Sequence, residues 1–249
     1  MLLEKDMKLA DVINHDYNLI PVISRFDIML GFGDGSIEVI CNEKEINIDF
    51  FLTILNSFHD PQYLDKTYLQ SFSVTILIDY LQKAHSYYLQ NKIPEIEYLI
   101  DEMATEGEVG DESHSLLQKF FEEYKTELVK HIEREEKRVY PYVIELENAV
   151  NGNSFSSALL KQIEEYSITS YEAEHEDVEE KLMDLKNILI KYLPSTSQQR
   201  IRYKLLKELA LLEKDLHDHA RMEDLILVPK VEVLEKIVIQ LNTPNSNQL

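Results

Sequence analysis

The chain has 249 residues, enough for one sizeable domain or for a larger domain beside a small one. Its 46 acidic and 25 basic residues give a formal net charge of -21, which opposes binding to nucleic-acid phosphates and to anionic lipid. The single cysteine, Cys41, excludes an intramolecular disulfide and a thiolate metal cluster, so any bound metal must use nitrogen and oxygen ligands. The N-terminus is charged and no apolar run approaches the roughly 18 residues of a membrane span, so we predict a cytoplasmic protein that binds neither nucleic acid nor membrane.

The first part of the chain predicts a small helical domain at residues 1–62. Helical patterns at Lys8–Phe26 and Asn47–Phe58 stand on either side of a glycine-rich turn, Leu30–Gly35. Ser36 follows this turn and is predicted to cap a further helix, because a serine hydroxyl accepts a hydrogen bond from a free backbone N–H of the first turn. The segment therefore has several short helices and a sharp bend between them.

The rest of the chain, residues 71–241, predicts an antiparallel helix bundle. Long helical patterns cover about 72–91, 113–149, 168–192 and 198–240, and a shorter one lies near Glu95–Thr105. Each long pattern has an apolar stripe at spacings of three and four, which is the buried face of a bundle helix. Residues 63–70 are the predicted linker, and residues 242–249 are a predicted loose tail.

Two of these helical patterns repeat one arrangement of ionisable residues. In each, a histidine is followed by a glutamate four positions later and by a proline ten positions later: His131, Glu135 and Pro141 in one, His219, Glu223 and Pro229 in the other. Residues four apart lie on one face of a helix, and the proline is expected to interrupt that helix. Lone histidines precede the two motifs at nearly equal distances, His85 in the first case and His175 in the second. The chain therefore reads as two halves that match in sequence.

All six side chains fall on the apolar stripes, where burying ionisable groups is costly. A buried carboxylate without a partner costs several kcal/mol in a domain that is stable by only ~5 to 15 kcal/mol. The stripes contain no lysine or arginine at the same level, which favours metal ions over salt bridges. The predicted ligands are His85, His131, Glu135, His175, His219 and Glu223. In each motif the imidazole can bind one ion while the carboxylate bridges to a second, and such ligands suit iron, manganese or zinc.

Other ionisable and aromatic residues have simpler interpretations. The remaining histidines are predicted to be structural or to lie on the surface: His15, His59, His114 and His217. Glu179, one turn after His175, is either a solvated glutamate or a supplementary ligand. Three tyrosines follow the stripes, Tyr88, Tyr124 and Tyr171, where core packing is the expected role and a place beside the metal is the alternative.

The ligand pattern resembles the hemerythrin-like di-iron domain, and with the small N-terminal unit it is similar to the repair-of-iron-centres family. The resemblance implies an all-α fold, with an up-down-up-down four-helix bundle beside a small helical domain. It also implies two non-haem iron ions, joined by an oxo or hydroxo group. Glu135 and Glu223 would be the bridging carboxylates and the four histidines the terminal ligands.

The resemblance further implies a role in repairing iron-sulfur clusters damaged by nitrosative or oxidative stress, by nitric oxide reduction, iron donation or both. The expected partners are nitric oxide or oxygen and damaged iron-sulfur proteins, and the oligomeric state is left open. Two departures matter. Glu179 stands where oxygen-carrying hemerythrins have a fifth histidine, which disfavours oxygen carriage. Gly31 and Phe32 stand where the family usually has a cysteine pair, which disfavours a step that needs a dithiol, such as thiol-assisted iron transfer. The alternatives to repair are a gas- or redox-sensing module and an iron-buffering or purely structural metal site, none of them with turnover.

Overall fold

The computed structural model describes residues 2–60, 62–106, 112–152, 154–165, 175–193 and 199–242. The chain forms two compact units, Met1–Tyr87 and Tyr88–Leu249. The described ranges contain helices and one isolated β-bridge, between Lys8 and Ser36, but no β-strand. This confirms the all-α prediction. The domain boundaries drawn from composition stay a prediction, since the two units divide inside a continuous helical segment.

The first unit consists of short helices, and three of them begin at a capping side chain, Ser36, Asn47 or Asp65. They are α1 Leu9–His15, α2 Leu19–Ser24, α3 Ile37–Glu43, α4 Ile48–His59, α5 Lys66–Ser71 and α6 Val74–Tyr87. The Ser36 side chain accepts a hydrogen bond from the Val39 N–H, as predicted, and Asn47 does the same for Phe50 at the start of α4. Gly31 has a φ of 101°, a conformation that favours glycine. Most of α5 lies within the segment predicted as a linker.

Arg25 is buried in this first unit, with 3% of its surface exposed. Its Nη1 donates a hydrogen bond to Tyr80 Oη at 3.0 Å. Its guanidinium carbon lies 5.9, 5.7 and 5.5 Å from the ring centroids of Phe58, Tyr80 and Tyr87. Aromatic faces and a phenol oxygen attract a cation, so these side chains compensate for the buried charge.

The second unit contains long helical segments that are widened at single places by π turns, and one short helix, α10. The α-helices are α7 Ile93–Glu106, α8 Glu112–Arg134, α9 Tyr140–Gly152, α10 Ser157–Glu165, α11 His175–Asn187, α12 Gln199–Met222 and α13 Val228–Asn242; the π turns are π1 Tyr88–Lys92, π2 Glu135–Val139, π3 Ile188–Tyr192 and π4 Glu223–Leu227. Helix α7 packs against α8 and α12, α11 packs against the same two helices, and α9 packs against α13. These contacts form the predicted helical bundle; the sequence analysis did not anticipate α10.

A proline follows each π turn of the second unit in the sequence. In the sequence a proline stands six positions after the first residue of each turn: Pro94, Pro141, Pro194 and Pro229. The Tyr140 N–H, just before the second of these prolines, bonds to the Glu135 carbonyl, and the Val228 N–H bonds likewise to Glu223. A proline ring has no N–H and collides with the carbonyl four residues earlier, and a turn one residue wider makes room for it.

The expectation that Pro141 and Pro229 interrupt their helices is therefore wrong. Helix α9 begins before the first proline and α13 before the second, and both continue for several turns. Glu135 and Glu223 are the first residues of their π turns, so each motif has its carboxylate where the helix widens. Within the described ranges, no helix is long and apolar enough to cross a bilayer.

Candidate metal centre

Four of the six predicted ligands converge on one place. His85, Glu135, His219 and Glu223 each contribute a potential ligand atom, and these four atoms all lie within 4.8 Å of one another. His85 is in the last turn of α6 and His219 in the last turn of α12. All four side chains are buried, and both glutamates have 0% of their surface exposed. Imidazole and carboxylate groups, which are normally hydrated, are thus clustered where water does not reach them.

The two His–Glu motifs each form a close pair across one helical turn. His131 Nε2 lies 2.8 Å from Glu135 Oε1, and His219 Nε2 lies 3.4 Å from Glu223 Oε2. His131 is buried as well, so five of the six predicted ligands lie in or beside the cluster. The sixth, His175, is the first residue of α11, and its side chain lies outside the described part of the structure. Its role as a ligand stays a prediction, as do those of Glu179 and Tyr171.

Tyr140 is a residue of the site that the sequence analysis missed. Its Oη donates a hydrogen bond to Glu223 Oε1 at 2.7 Å, while its backbone N–H donates to the Glu135 carbonyl. Burial, together with the negative charges of Glu223 and Glu135, raises the pKa of the Tyr140 phenol well above its usual range. The Tyr140 phenol therefore donates a hydrogen bond to the carboxylate of Glu223, and the Tyr140 peptide N–H donates one to the backbone carbonyl of Glu135.

The π turn explains why Tyr140 was missed. In a regular α-helix a residue five positions after Glu135 points about 140° away from it. The extra residue in the turn rotates Tyr140 back toward the buried face. The proline at 141 was the available signal, because it indicates that the regular period fails at this point.

Two of the predicted tyrosines also occupy the core. The Tyr88 ring meets the His219 ring edge-on, with centroids 5.8 Å apart, and Tyr88 Oη donates a hydrogen bond to Asp215 Oδ1 at 3.2 Å. Tyr124 is fully buried, and its hydroxyl has no hydrogen-bond partner among the described residues. Burial raises the pKa of Tyr124 above its usual range. Tyr88 thus lies beside a predicted ligand, as the alternative interpretation allowed.

The other histidines behave as surface or structural groups where they are described. His217 is exposed. His59 Nδ1 lies 2.9 Å from Asp16 Oδ2, and its ring centroid is 5.7 Å from that of His15. The side chain of His114 lies outside the described part. Of the ones whose side chains are described, His15, His59 and His217, none belongs to the buried cluster.

The donor set fits a metal site in chemistry and in spacing. Its atoms are imidazole nitrogens and carboxylate oxygens, which suit iron, manganese and zinc. Donor atoms bound at about 2.1 Å to one ion lie roughly 3 Å from each other. The 2.8 Å and 3.4 Å separations within the two motifs agree with that spacing. Both motifs can therefore hold an ion with little movement of their side chains.

A helical bundle that gathers histidine and glutamate side chains in its core defines a metal-binding protein with nitrogen and oxygen ligands. The profile of the hemerythrin HHE cation-binding domain matches residues 78–231, which is more than half of the chain and includes all six predicted ligands. The chain belongs to the hemerythrin HHE cation-binding family. None of the curated proteins compared with it matches.

Proposed function

We propose that the protein holds two iron ions in this centre and helps to repair iron-sulfur clusters damaged by nitrosative or oxidative stress. The observation that carries the proposal is the convergence of buried donor atoms from His85, Glu135, His219 and Glu223 within 4.8 Å. Its substrate would be nitric oxide, and its partners would be the damaged iron-sulfur proteins. The repeated His–Glu motif supports two ions, because each half supplies both an imidazole and a carboxylate.

Residues of the chain would hold the iron ions and provide an apolar environment for nitric oxide. When bound and reduced, two iron ions would supply the two electrons that, with two protons, turn two molecules of nitric oxide into nitrous oxide and water. His131 and His219 would hold one ion each, with Glu135 and Glu223 as the carboxylate ligands. The helical segments that carry the two motifs also carry buried apolar side chains, among them Val139, Met222 and Ile226. They favour a small neutral diatomic ligand over bulk water.

The only thiol of the chain favours reduction at the centre over thiol-assisted iron transfer. Cys41 is 1% exposed, and burial raises its pKa to about 11. A thiol with that pKa is protonated at neutral pH and is a poor metal ligand or nucleophile. The positions where a cysteine pair was expected hold Gly31 and Phe32. An iron-donating activity would therefore have to work without a dithiol.

The direct test is the reaction of the reduced, iron-loaded full chain with nitric oxide in the absence of oxygen. We expect two irons per chain and the release of nitrous oxide over several turnovers when a chemical reductant is supplied. Nitric oxide that remains bound while no nitrous oxide forms would contradict the reductase proposal. That outcome would support the alternative, a module that binds or senses the gas.

Matched histidine variants test which side chains hold the ions. His131→Ala removes an imidazole 2.8 Å from Glu135, and we expect iron to fall from two per chain to about one. His217→Ala removes an exposed histidine and should retain both. Equal iron content in the two variants, measured by metal analysis after gel filtration, would count against the assignment.

A further inference from the structure

The two matched halves differ at two positions close in sequence to the predicted ligands. Tyr140 stands five residues after Glu135, whereas Val228 stands five residues after Glu223. The lone-histidine helices differ in the same way. Tyr88 stands three residues after His85, and Val178 stands three residues after His175. Both phenols thus come from the first half, and the matching positions of the second half have valine, which cannot donate a hydrogen bond.

Both tyrosines contact the motif of the second half. Tyr140 Oη donates to Glu223 Oε1 at 2.7 Å. The Tyr88 ring packs edge-on against the His219 ring, and its hydroxyl donates to Asp215, one helical turn before that histidine. His219 and Glu223 therefore receive a phenol each from the other half of the chain. The predicted ligands are therefore matched between the two halves, whereas the tyrosines beside them are not.

We propose that Tyr140 makes the two metal positions unequal, as a positioning residue that fixes Glu223 through Oε1 and directs Oε2 toward the ion near His219. Glu223 Oε2 is the oxygen that lies 3.4 Å from His219 Nε2. A hydrogen bond to a ligating carboxylate fixes its orientation, and losing such a bond typically weakens metal binding by about 10- to 100-fold. This inference rests on the proposed function, because it requires two ions.

The test is a titration of the metal-free full chain with Co²⁺ in competition with a coloured chelator. Co²⁺ reports its ligands through its visible absorption, so the readout does not depend on enzymatic activity. For the wild type we expect two binding steps of unequal affinity. Tyr140→Phe should weaken one step by about 10- to 100-fold and leave the other within about threefold.

Tyr142→Phe is the matched control. Tyr142 lies two residues further along the same helix, and its Oη donates to Glu235 Oε1 at 2.5 Å, away from the motifs. This variant should change neither binding step. In a Glu223→Gln background, Tyr140→Phe should have little further effect on Co²⁺ binding, because the carboxylate that Tyr140 positions has already been removed. Far-ultraviolet circular dichroism of every metal-free variant shows whether its helices are intact.

The outcomes separate this inference from the function on which it rests. Two ions whose affinities are unaffected by Tyr140→Phe, or weakened equally by it, would overturn the inference alone. A wild-type chain that binds fewer than two Co²⁺ ions would overturn the paired centre and this inference with it. An additive effect of Tyr140→Phe in the Glu223→Gln background would also refute the inference. If Tyr140→Phe loses its helicity, Glu223→Gln alone decides the question: it should weaken one Co²⁺ step, and equal weakening of both steps would refute the inference.

Discussion

The two units of the molecule both bury ionisable groups, but the side chains around those groups differ. In Met1–Tyr87, Arg25 lies against three aromatic rings and donates to Tyr80 Oη. In Tyr88–Leu249, Glu135 and Glu223 have no exposed surface and lie beside imidazoles. The first arrangement compensates a cation with side chains of the fold itself. The second gathers groups that are all potential ligands of a cation.

This difference indicates what each unit needs in order to be stable. Aromatic faces and a phenol offset a guanidinium charge directly, without any added ion. A neutral imidazole carries no charge with which to offset a carboxylate, so two buried carboxylates need protons or bound cations. The family match to a cation-binding domain over residues 78–231 favours cations. Metal should therefore stabilise the helices that carry the two His–Glu motifs more than helices α1–α4, which carry no predicted ligand.

Removing the metal should have the largest effect. If the free ion is kept a thousandfold above its dissociation constant, each bound ion stabilises the folded chain by about 4 kcal/mol, which a chelator would remove. Hydrogen exchange followed by mass spectrometry can locate the loss. We expect α8, α9, α12 and α13 to lose protection and α1–α4 to retain it. Equal loss in both units would remove the distinction drawn between them.

Replacing Arg25 should have the opposite pattern. Arg25→Met deletes the buried charge and its bond to Tyr80, and we expect the first unit to lose about 2 to 4 kcal/mol. Metal affinity should not change. Lys83→Met is the control, because Lys83 is 36% exposed and its ion pairs with Asp27 and Asp79 should contribute at most about 1 kcal/mol. Urea unfolding of both variants decides; equal losses would refute the special role of Arg25.

The sequence predicted the features that arise from local, repeated spacing. The Ser36 cap needs residues three positions apart, and each His–Glu pair needs residues four positions apart, so both are visible in the chain itself. The apolar stripes likewise predicted the long helices. The repeat then suggested that the motifs meet, because two matched halves can pack face to face.

The features that were missed depend on where the regular period fails. The π turns before Pro141 and Pro229 rotate the following residues, which brings Tyr140 to Glu223 from a position that a uniform helix would turn away. Arg25 was missed for another reason: its burial depends on aromatic side chains far along the chain, among them Tyr80. Pro141 marks the place of the first arrangement in the sequence, whereas the second has no short-range pattern by which it could be recognised.

Cys41 extends the comparison to a third way of burying an ionisable group, which is to keep it neutral. Burial raises the pKa of its thiol from 9.0 to about 11, so the unfolded chain releases this proton first as the pH rises. The stability that the neutral thiol provides is therefore complete below about pH 9 and is lost between about pH 9 and pH 11. Two units of pKa correspond to roughly 2.7 kcal/mol, so we expect wild-type stability to fall by about 2 kcal/mol more than that of Cys41→Ala between pH 8 and pH 10.5. Urea unfolding at the two pH values measures this difference, and parallel losses in the two proteins would show that the thiol ionises as readily in the folded unit as in the unfolded chain.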